Sequence, residues 1–138
     1  MGGKFCFGAV VKWTDFEFED SGSSDKLLVI LGAKPGQPII AVLTTTKARG
    51  RPAVAGCHFE YENGSFYFAK GGMSGSFKVD TWVELYRPQE IDPAAYHDRE
   101  HQERAWVVFN LRPDFAAGIR NCLKRTPDIS DYLISLLQ

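Results

Sequence analysis

Leu27-Leu28-Val29-Ile30-Leu31 and Pro38-Ile39-Ile40-Ala41-Val42-Leu43 are two short apolar runs with Lys34-Pro35-Gly36 between them. Each is too short for an ordinary helix and rich in branched side chains, and the Pro-Gly pair is turn chemistry. The two runs therefore read as buried strands joined in a hairpin.

Working outward, residues 7–18 carry Val11, Trp13, Phe16 and Phe18 among Lys12, Thr14, Asp15 and Glu17. This pattern predicts a long strand, bulged where the alternation slips between Trp13 and Phe16. Glu19 to Asp25 is a polar loop, and Lys47-Ala48-Arg49-Gly50-Arg51-Pro52 is a basic one. Phe59 to Glu62, Asn63-Gly64, then Ser65 to Phe68 reads as a second hairpin, because Asn-Gly supplies two left-handed residues for a type I′ turn. Lys70 to Ser76 reads as a glycine-rich loop, and Thr81-Trp82-Val83-Glu84-Leu85 as a further strand. Some six short strands with no helix between the early ones imply a small barrel over residues 1–86 rather than a βαβ sheet.

The chain then changes character, and residues 92–138 read as a helical C-terminal portion. Asp92-Pro93 starts a polar helix running to about residue 104, while the apolar run Ala105 to Phe109 fits either a strand or a helix. Asp114 is placed to cap a helix with Phe115, Ile119, Cys122 and Leu123 on one face. Thr126-Pro127-Asp128 resembles a helix start, with a capping hydroxyl, a first-position proline and an acid in the first turn. Ile129, Tyr132, Leu133, Leu136 and Leu137 follow at helical spacing, an apolar stripe that must pack on the barrel or on a partner. The fold class expected is thus mainly β with C-terminal helices (α+β), in one domain spanning 1–138.

Size and composition agree with that reading. With 138 residues, 44% of them hydrophobic and 24% charged, the chain is globular and long enough for one core. Its formal net charge of −1 gives no overall field for nucleic acid or anionic lipid, so any such contact needs a local basic patch. Cys6, Cys57 and Cys122 are odd in number, far apart and without a C-x-x-C, which predicts buried thiols in a reducing compartment. No signal-like segment and no apolar run of membrane-spanning length is present, and the expected location is cytoplasmic.

Several patterns bear on chemistry. His97-Asp98-Arg99-Glu100-His101 fits the H-x-x-E-H spacing of inverted zinc proteases, but the segment is charged throughout and third-ligand candidates are few. It reads as a solvated helix face, and no metal or other cofactor is expected. Lys70 to Ser76 lacks the G-K-[ST] order of a phosphate loop, and Cys57 and His58, as strand neighbours, point to opposite faces. A more suggestive set lies where the first hairpin's two ends meet. There Lys26 heads one strand, Thr44, Thr45 and Thr46 end the other, and Lys47, Arg49 and Arg51 follow in the basic loop. Cations and hydroxyls at one rim suit a phosphodiester backbone.

With Gly8 to Trp13, Lys26 to Leu31 and Ile40 to Thr45 as opening strands, a late strand at Thr81 to Leu85 and a leucine-bearing terminal helix, the chain resembles the MazF/PemK (Kid) toxin family. The likeness covers roughly the first 85 residues and the end in outline, and the segment from 87 to 112 has no counterpart. It implies an SH3-like barrel, a homodimer, an antitoxin partner, and metal-independent cleavage of single-stranded RNA by attack of a ribose 2′-hydroxyl on the adjacent phosphate. The family's arginine at the head of the second strand falls on Lys26, and its Thr or Ser at the end of the third on Thr44, or on Thr45 one residue later. Lys47, Arg49 and Arg51 would then hold RNA. Lysine keeps the charge of the family's arginine and lacks its planar fork. The alternative is a non-catalytic barrel of the same ancestry that binds a protein or a nucleic acid.

Overall fold

The computed structural model describes residues 6–17, 23–59, 64–127 and 129–138. Among the described residues seven strands form one antiparallel sheet: β1 (Ala9–Glu17), β2 (Ser23–Gly32), β3 (Ile39–Thr45), β4 (Gly56–His58), β5 (Phe66–Ala69), β6 (Thr81–Ile91) and β7 (Ala105–Asn110). Their spatial order is β4-β5-β6-β3-β2-β1-β7. Among the described residues there are also three helices: α1 (Pro93–His101), α2 (Pro113–Lys124) and α3 (Asp131–Leu136). The protein is mainly β with short helices, an α+β fold. Among the described residues no helix is long and apolar enough to cross a membrane.

The β2–β3 hairpin forms as its apolar runs predict, with Leu28 opposite Leu43, Val29 opposite Val42 and Ile30 opposite Ala41. Its turn has Pro35 and Gly36 at the centre, Gly36 at φ 73°, and the Gln37 N–H donating to the Lys34 carbonyl at 3.0 Å, the type II pattern. These runs are unbroken because both faces of the sheet are covered here. On one face Val29, Leu31, Ile40 and Val42 pack with Val10, Val83 and Leu85 beneath Ile119, Leu123 and Leu136 of α2 and α3. On the other, Leu28, Ile30, Ile39, Ala41 and Leu43 pack with Val11 and with Tyr96 of α1. Fully burying a side chain of this size stabilises by about 1.5–3 kcal/mol, so the central strands carry much of the fold.

β1 has the anticipated bulge. Its register with β2 shifts between Trp13 and Phe16, and Asp15 sits there at φ 53°. Asp tolerates this left-handed region better than a branched residue does.

Ala105 to Asn110, undecided on sequence, is a strand that pairs with β1, placing Val107 opposite Val11. The polar helix before it ends at His101 rather than near 104. Residues 92–138 are therefore not wholly helical. The aromatic and β-branched run Trp106-Val107-Val108-Phe109 suits an open sheet edge better than another helical turn.

The ends of the later helices also differ from expectation. Asp114 does not cap α2: Arg112 is the capping position, Pro113 opens the helix, and Asp114 lies in its first turn, where both carboxylate oxygens accept from Arg112 at 2.6 and 2.9 Å. Ile119, Cys122 and Leu123 are buried on the predicted face. Thr126 does not begin α3. Its hydroxyl donates back to the Leu123 carbonyl at 2.8 Å and closes α2, Asp128 lies outside the described residues, and Ser130 caps the final helix by accepting from the Leu133 N–H. The apolar stripe covers the sheet, with Leu136 and Leu137 buried, Ile129 and Leu133 packed against them, and Tyr132 exposed.

The second hairpin has a different register from the one that Asn63-Gly64 predicts. A two-residue turn there would set Tyr61 opposite Phe66, but His58 takes that place. Asn63 lies outside the described residues, while Gly64 is left-handed at φ 84°. Two interactions fix the observed register. His58 stacks on Phe66 with ring centroids 4.6 Å apart, and Cys57 is disulfide-bonded to Cys122 of α2, their Cα atoms 5.7 Å apart. The expectation of three buried thiols is thereby corrected, since two cysteines are joined and Cys6 is exposed. Sequence spacing cannot reveal a contact across 65 residues that only the packing of α2 creates.

Gly32 shows how closely α3 is seated. A Cβ at Gly32 would overlap the backbone carbonyl of Leu136, which cannot move without lifting the helix. Gly32→Ala is expected to cost about 1–3 kcal/mol through overpacking, read as a lower urea midpoint. Gly36→Ala, in open space at positive φ, should cost about 1–2 kcal/mol from backbone strain alone. Retention of wild-type exchange protection in residues 131–137 of the Gly32 variant would contradict the seating of α3.

Candidate functional site

Alternation along the strands decides which side chains meet at the hairpin's open end. Lys26 shares a sheet face with Leu28, and Thr45 shares it with Leu43, because Leu28 and Leu43 are paired. Glu84 lies opposite both Leu43 and Phe66, which puts it on that face as well. Thr44, opposite Val83, is on the other face, where its hydroxyl donates to the Leu27 carbonyl at 2.9 Å. Of the two threonine registers, Thr45 is the one that joins Lys26. Its Oγ1 accepts from the Lys47 N–H at 3.2 Å and fixes the start of the basic loop.

That loop is a tight reversal. Arg49 and Gly50 have φ values of 51° and 84°, and the Arg51 N–H donates to the Ala48 carbonyl at 2.9 Å. Two successive left-handed residues turn the chain back sharply. Lys47 and Arg49 remain exposed and Arg51 is carried inward. Arg51 thus stands beneath the rim rather than on it, its guanidinium 5.8 Å from the Phe66 ring centroid and its Nη2 3.1 Å from Glu84 Oε2. The two side chains are only 3% and 2% exposed.

Sequence reasoning missed Glu84, Tyr86 and Arg87. Sequence pattern reads Thr81 to Leu85 only as a strand; nothing local signals that a loop more than thirty residues earlier folds over Glu84. Glu84 accepts from Arg51 through one oxygen and faces Arg87 through the other, at 3.6 Å. Arg87 reaches back because the β3–β6 register shifts between Ala41 and Leu43, so that β6 holds extra residues beyond Glu84. The Tyr86 hydroxyl donates to Glu84 Oε2 at 3.5 Å, and Trp82 donates its indole N–H to the Pro52 carbonyl at 3.2 Å, pinning the loop down.

Arg51 and Arg87 thus face the Glu84 carboxylate, and Lys26 lies within electrostatic reach of Glu84, Arg49, Arg87 and Lys47. Partial burial holds the Lys26 pKa below the usual lysine value of 10.5; Glu84 opposes that shift, and Arg49, Arg87 and Lys47 reinforce it. Burial, and secondarily the Glu84 carboxylate, raises the Tyr86 hydroxyl above the usual tyrosine range. Within Arg51, Nε and Nη1 are buried and reach no acceptor among the described residues. A chain of nearly balanced charge therefore carries a concentrated positive site on one sheet face.

The H-x-x-E-H segment is on α1, with His97, Asp98 and His101 exposed. His97, Glu100 and His101 line an open cleft with Glu103, Trp106 and Val107. Among the described residues no group of three or more His, Cys, Asp or Glu is placed to hold a metal ion. Lys70 to Ser76 connects β5 to β6, with no helix after it to orient a phosphate.

Comparison with protein-family models, with curated proteins and with solved structures finds no match to this chain.

A buried carboxylate deprived of its cation is far more costly than the pair is stabilising. Arg51→Met is expected to lose about 3–5 kcal/mol of stability in urea unfolding, and Arg51→Met with Glu84→Met appreciably less. Equal losses in the single and double variants would show that the two side chains do not act as a pair.

Proposed function

We propose that this chain is a MazF/PemK-like toxin endoribonuclease that cleaves single-stranded RNA without a metal ion, its sheet being a variant of the SH3-like barrel. The observation that carries the reading is the clustering of five cations, Lys26, Lys47, Arg49, Arg51 and Arg87, with Glu84 where β3 ends beside Lys26 of β2. Exposed Lys47 and Arg49, with half-buried Arg87, would bind successive phosphates, contacts that position a strand without reading its bases. Lys26 would sit at the scissile phosphate. As the 2′-hydroxyl attacks and its proton passes to water, a P–O2′ bond forms and the P–O5′ bond breaks, and negative charge builds on the phosphorane oxygens. A charged lysine stabilises that charge and can give its proton to the departing 5′-oxygen.

The lowered pKa of Lys26 gives meaning to a lysine where the family has arginine. A guanidinium stays protonated at any physiological pH, whereas a lysine depressed by burial and by cationic neighbours is a better proton donor. Thr45, on the same face, would orient the substrate; Thr44 supports the Leu27 backbone instead. A positive rim also suits an acidic antitoxin segment, by charge complementarity. A homodimeric state and a cytoplasmic location belong to the same proposal. The competing reading, a non-catalytic binding module of the same ancestry, draws on the full engagement of Thr44 and the burial of Arg51.

Incubation with end-labelled single-stranded RNA in excess chelator tests the proposal. Cleavage is expected, falling about 100-fold or more in Lys26→Ala with the fold intact. RNA left whole after long incubation, together with harmless induced expression, would sink the enzyme reading and favour the binding module. The pH profile adds a second check. If protonated Lys26 is the donor, the rate must fall as pH rises through its depressed pKa, so the alkaline limb lies below 10.5. In Lys26→Arg that limb should disappear. Because the unfolded chain then binds more protons than the folded one, Lys26 also makes stability rise with pH across the window up to 10.5.

A further inference from the structure

β4 is a strand of three residues at the edge of the sheet, bonded only to β5. Such a strand holds its place weakly, since three ladder pairs offset little of the backbone entropy of ordering it. What fastens it is Cys57, joined to Cys122 on the well-packed α2. Cys122 is 2% exposed, whereas Cys57 is only half-buried and can be approached. The Arg125 guanidinium is placed with Nη2 3.0 Å from Cys57 Sγ, over the Phe59 ring. A cation at that distance favours the thiolate of Cys57 and eases both release and re-formation of the bond.

The strand so fastened leads directly to the basic site. His58 stacks on Phe66, and Phe66 lies under the Arg51 guanidinium and opposite Glu84. Phe68 packs on Trp82, whose N–H holds the chain just after Arg51. The β4–β5 hairpin is therefore the floor of the cluster.

We infer that the Cys57–Cys122 disulfide is a reversible redox tether that sets the order of this floor and so regulates the site above it. The regulation of RNA cleavage rests on the ribonuclease reading; the tether does not. The reductant is a dithiol. Its thiolate attacks the accessible Cys57 sulfur, a mixed disulfide forms, and Cys122 leaves as a thiolate that takes a proton. The second thiol of the reductant then attacks its own sulfur in the mixed disulfide and displaces the Cys57 thiolate beside Arg125. Two electrons pass to the protein, and the reductant departs as its own disulfide. In the reduced protein β4 keeps its short ladder and the His58–Phe66 stack but loses its covalent anchor to α2. Phe66 stays paired to β6, while the strand stacked on it, and with it the packing beneath Arg51, loosens.

The full chain carrying Cys6→Ser, which removes the exposed third thiol, is equilibrated in defined ratios of oxidised and reduced dithiothreitol. Alkylation counted by mass gives the oxidised fraction, and hydrogen exchange reports the hairpin. Reduction is expected to speed exchange across residues 56–59 and 64–69 by about tenfold or more, with residues 28–31 and 39–43 unchanged. Cys57→Ser should reproduce the reduced behaviour under both conditions. Two alkylatable thiols persisting under oxidising conditions, or exchange indifferent to redox state, would overturn the tether. Cleavage of single-stranded RNA should fall about fivefold or more on reduction, following the loosened floor. Redox-dependent exchange with an unchanged cleavage rate would overturn the regulatory role. Redox-dependent exchange with no cleavage in either state would uphold the tether and sink the ribonuclease reading alone.

Discussion

A strand covered on both faces has no solvent side, and every residue along it must be apolar or partnered. β2 and β3 are such strands, with α2 and α3 on one face and α1 on the other. The constraint relaxes at the hairpin's open end, where Lys26 and Leu27 of β2 are half-buried and the buried run of β3 ends after Thr45. Polar chemistry therefore appears at the hairpin's open end and nowhere along its middle. The same two-sided burial explains why the chain places short helices after β6 and β7, since each completes a layer that an open sheet would leave exposed.

The second constraint is the Glu84 carboxylate. Placed at 1% exposure on a strand, it requires cations, and the loop after β3 delivers Arg51 through a turn that only left-handed residues make tight. Arg87 closes the other side through an irregularity in β6. One buried charge thus organises a loop, a bulge and the indole of Trp82 around itself, and beside it Lys26 is depressed first by its own burial and then by the neighbouring cations.

The disulfide links this site to the helical layer. Cys57 and Cys122 approach because α2 packs its apolar face across the sheet, bringing a helix residue over an edge strand. The covalent link and the aromatic stack of His58 on Phe66 then override the local turn preference of Asn63-Gly64. Arg51 rests on that stack, so the order of a three-residue edge strand reaches the centre of the basic cluster.

What the sequence determined by itself was local. The unbroken runs of β2 and β3, the Pro35-Gly36 turn, the slip at Trp13 to Phe16 and the apolar face of α2 are all set within a few residues by propensity and period, and each formed as read. The juxtaposition of Lys26 with the end of β3 was legible too, because a hairpin brings its own ends together. Tertiary structure alone decided the rest. Ala105 to Asn110 became a strand because β1 offered an edge, α3 began at Ser130 because Thr126 was already closing α2, and Thr45 rather than Thr44 joined Lys26 because register sets the face. Glu84, Arg87 and the cysteine pair were invisible for one physical reason: each acquires its role from a partner distant in sequence, and one-dimensional pattern records burial period but not which charge or sulfur the fold will bring opposite.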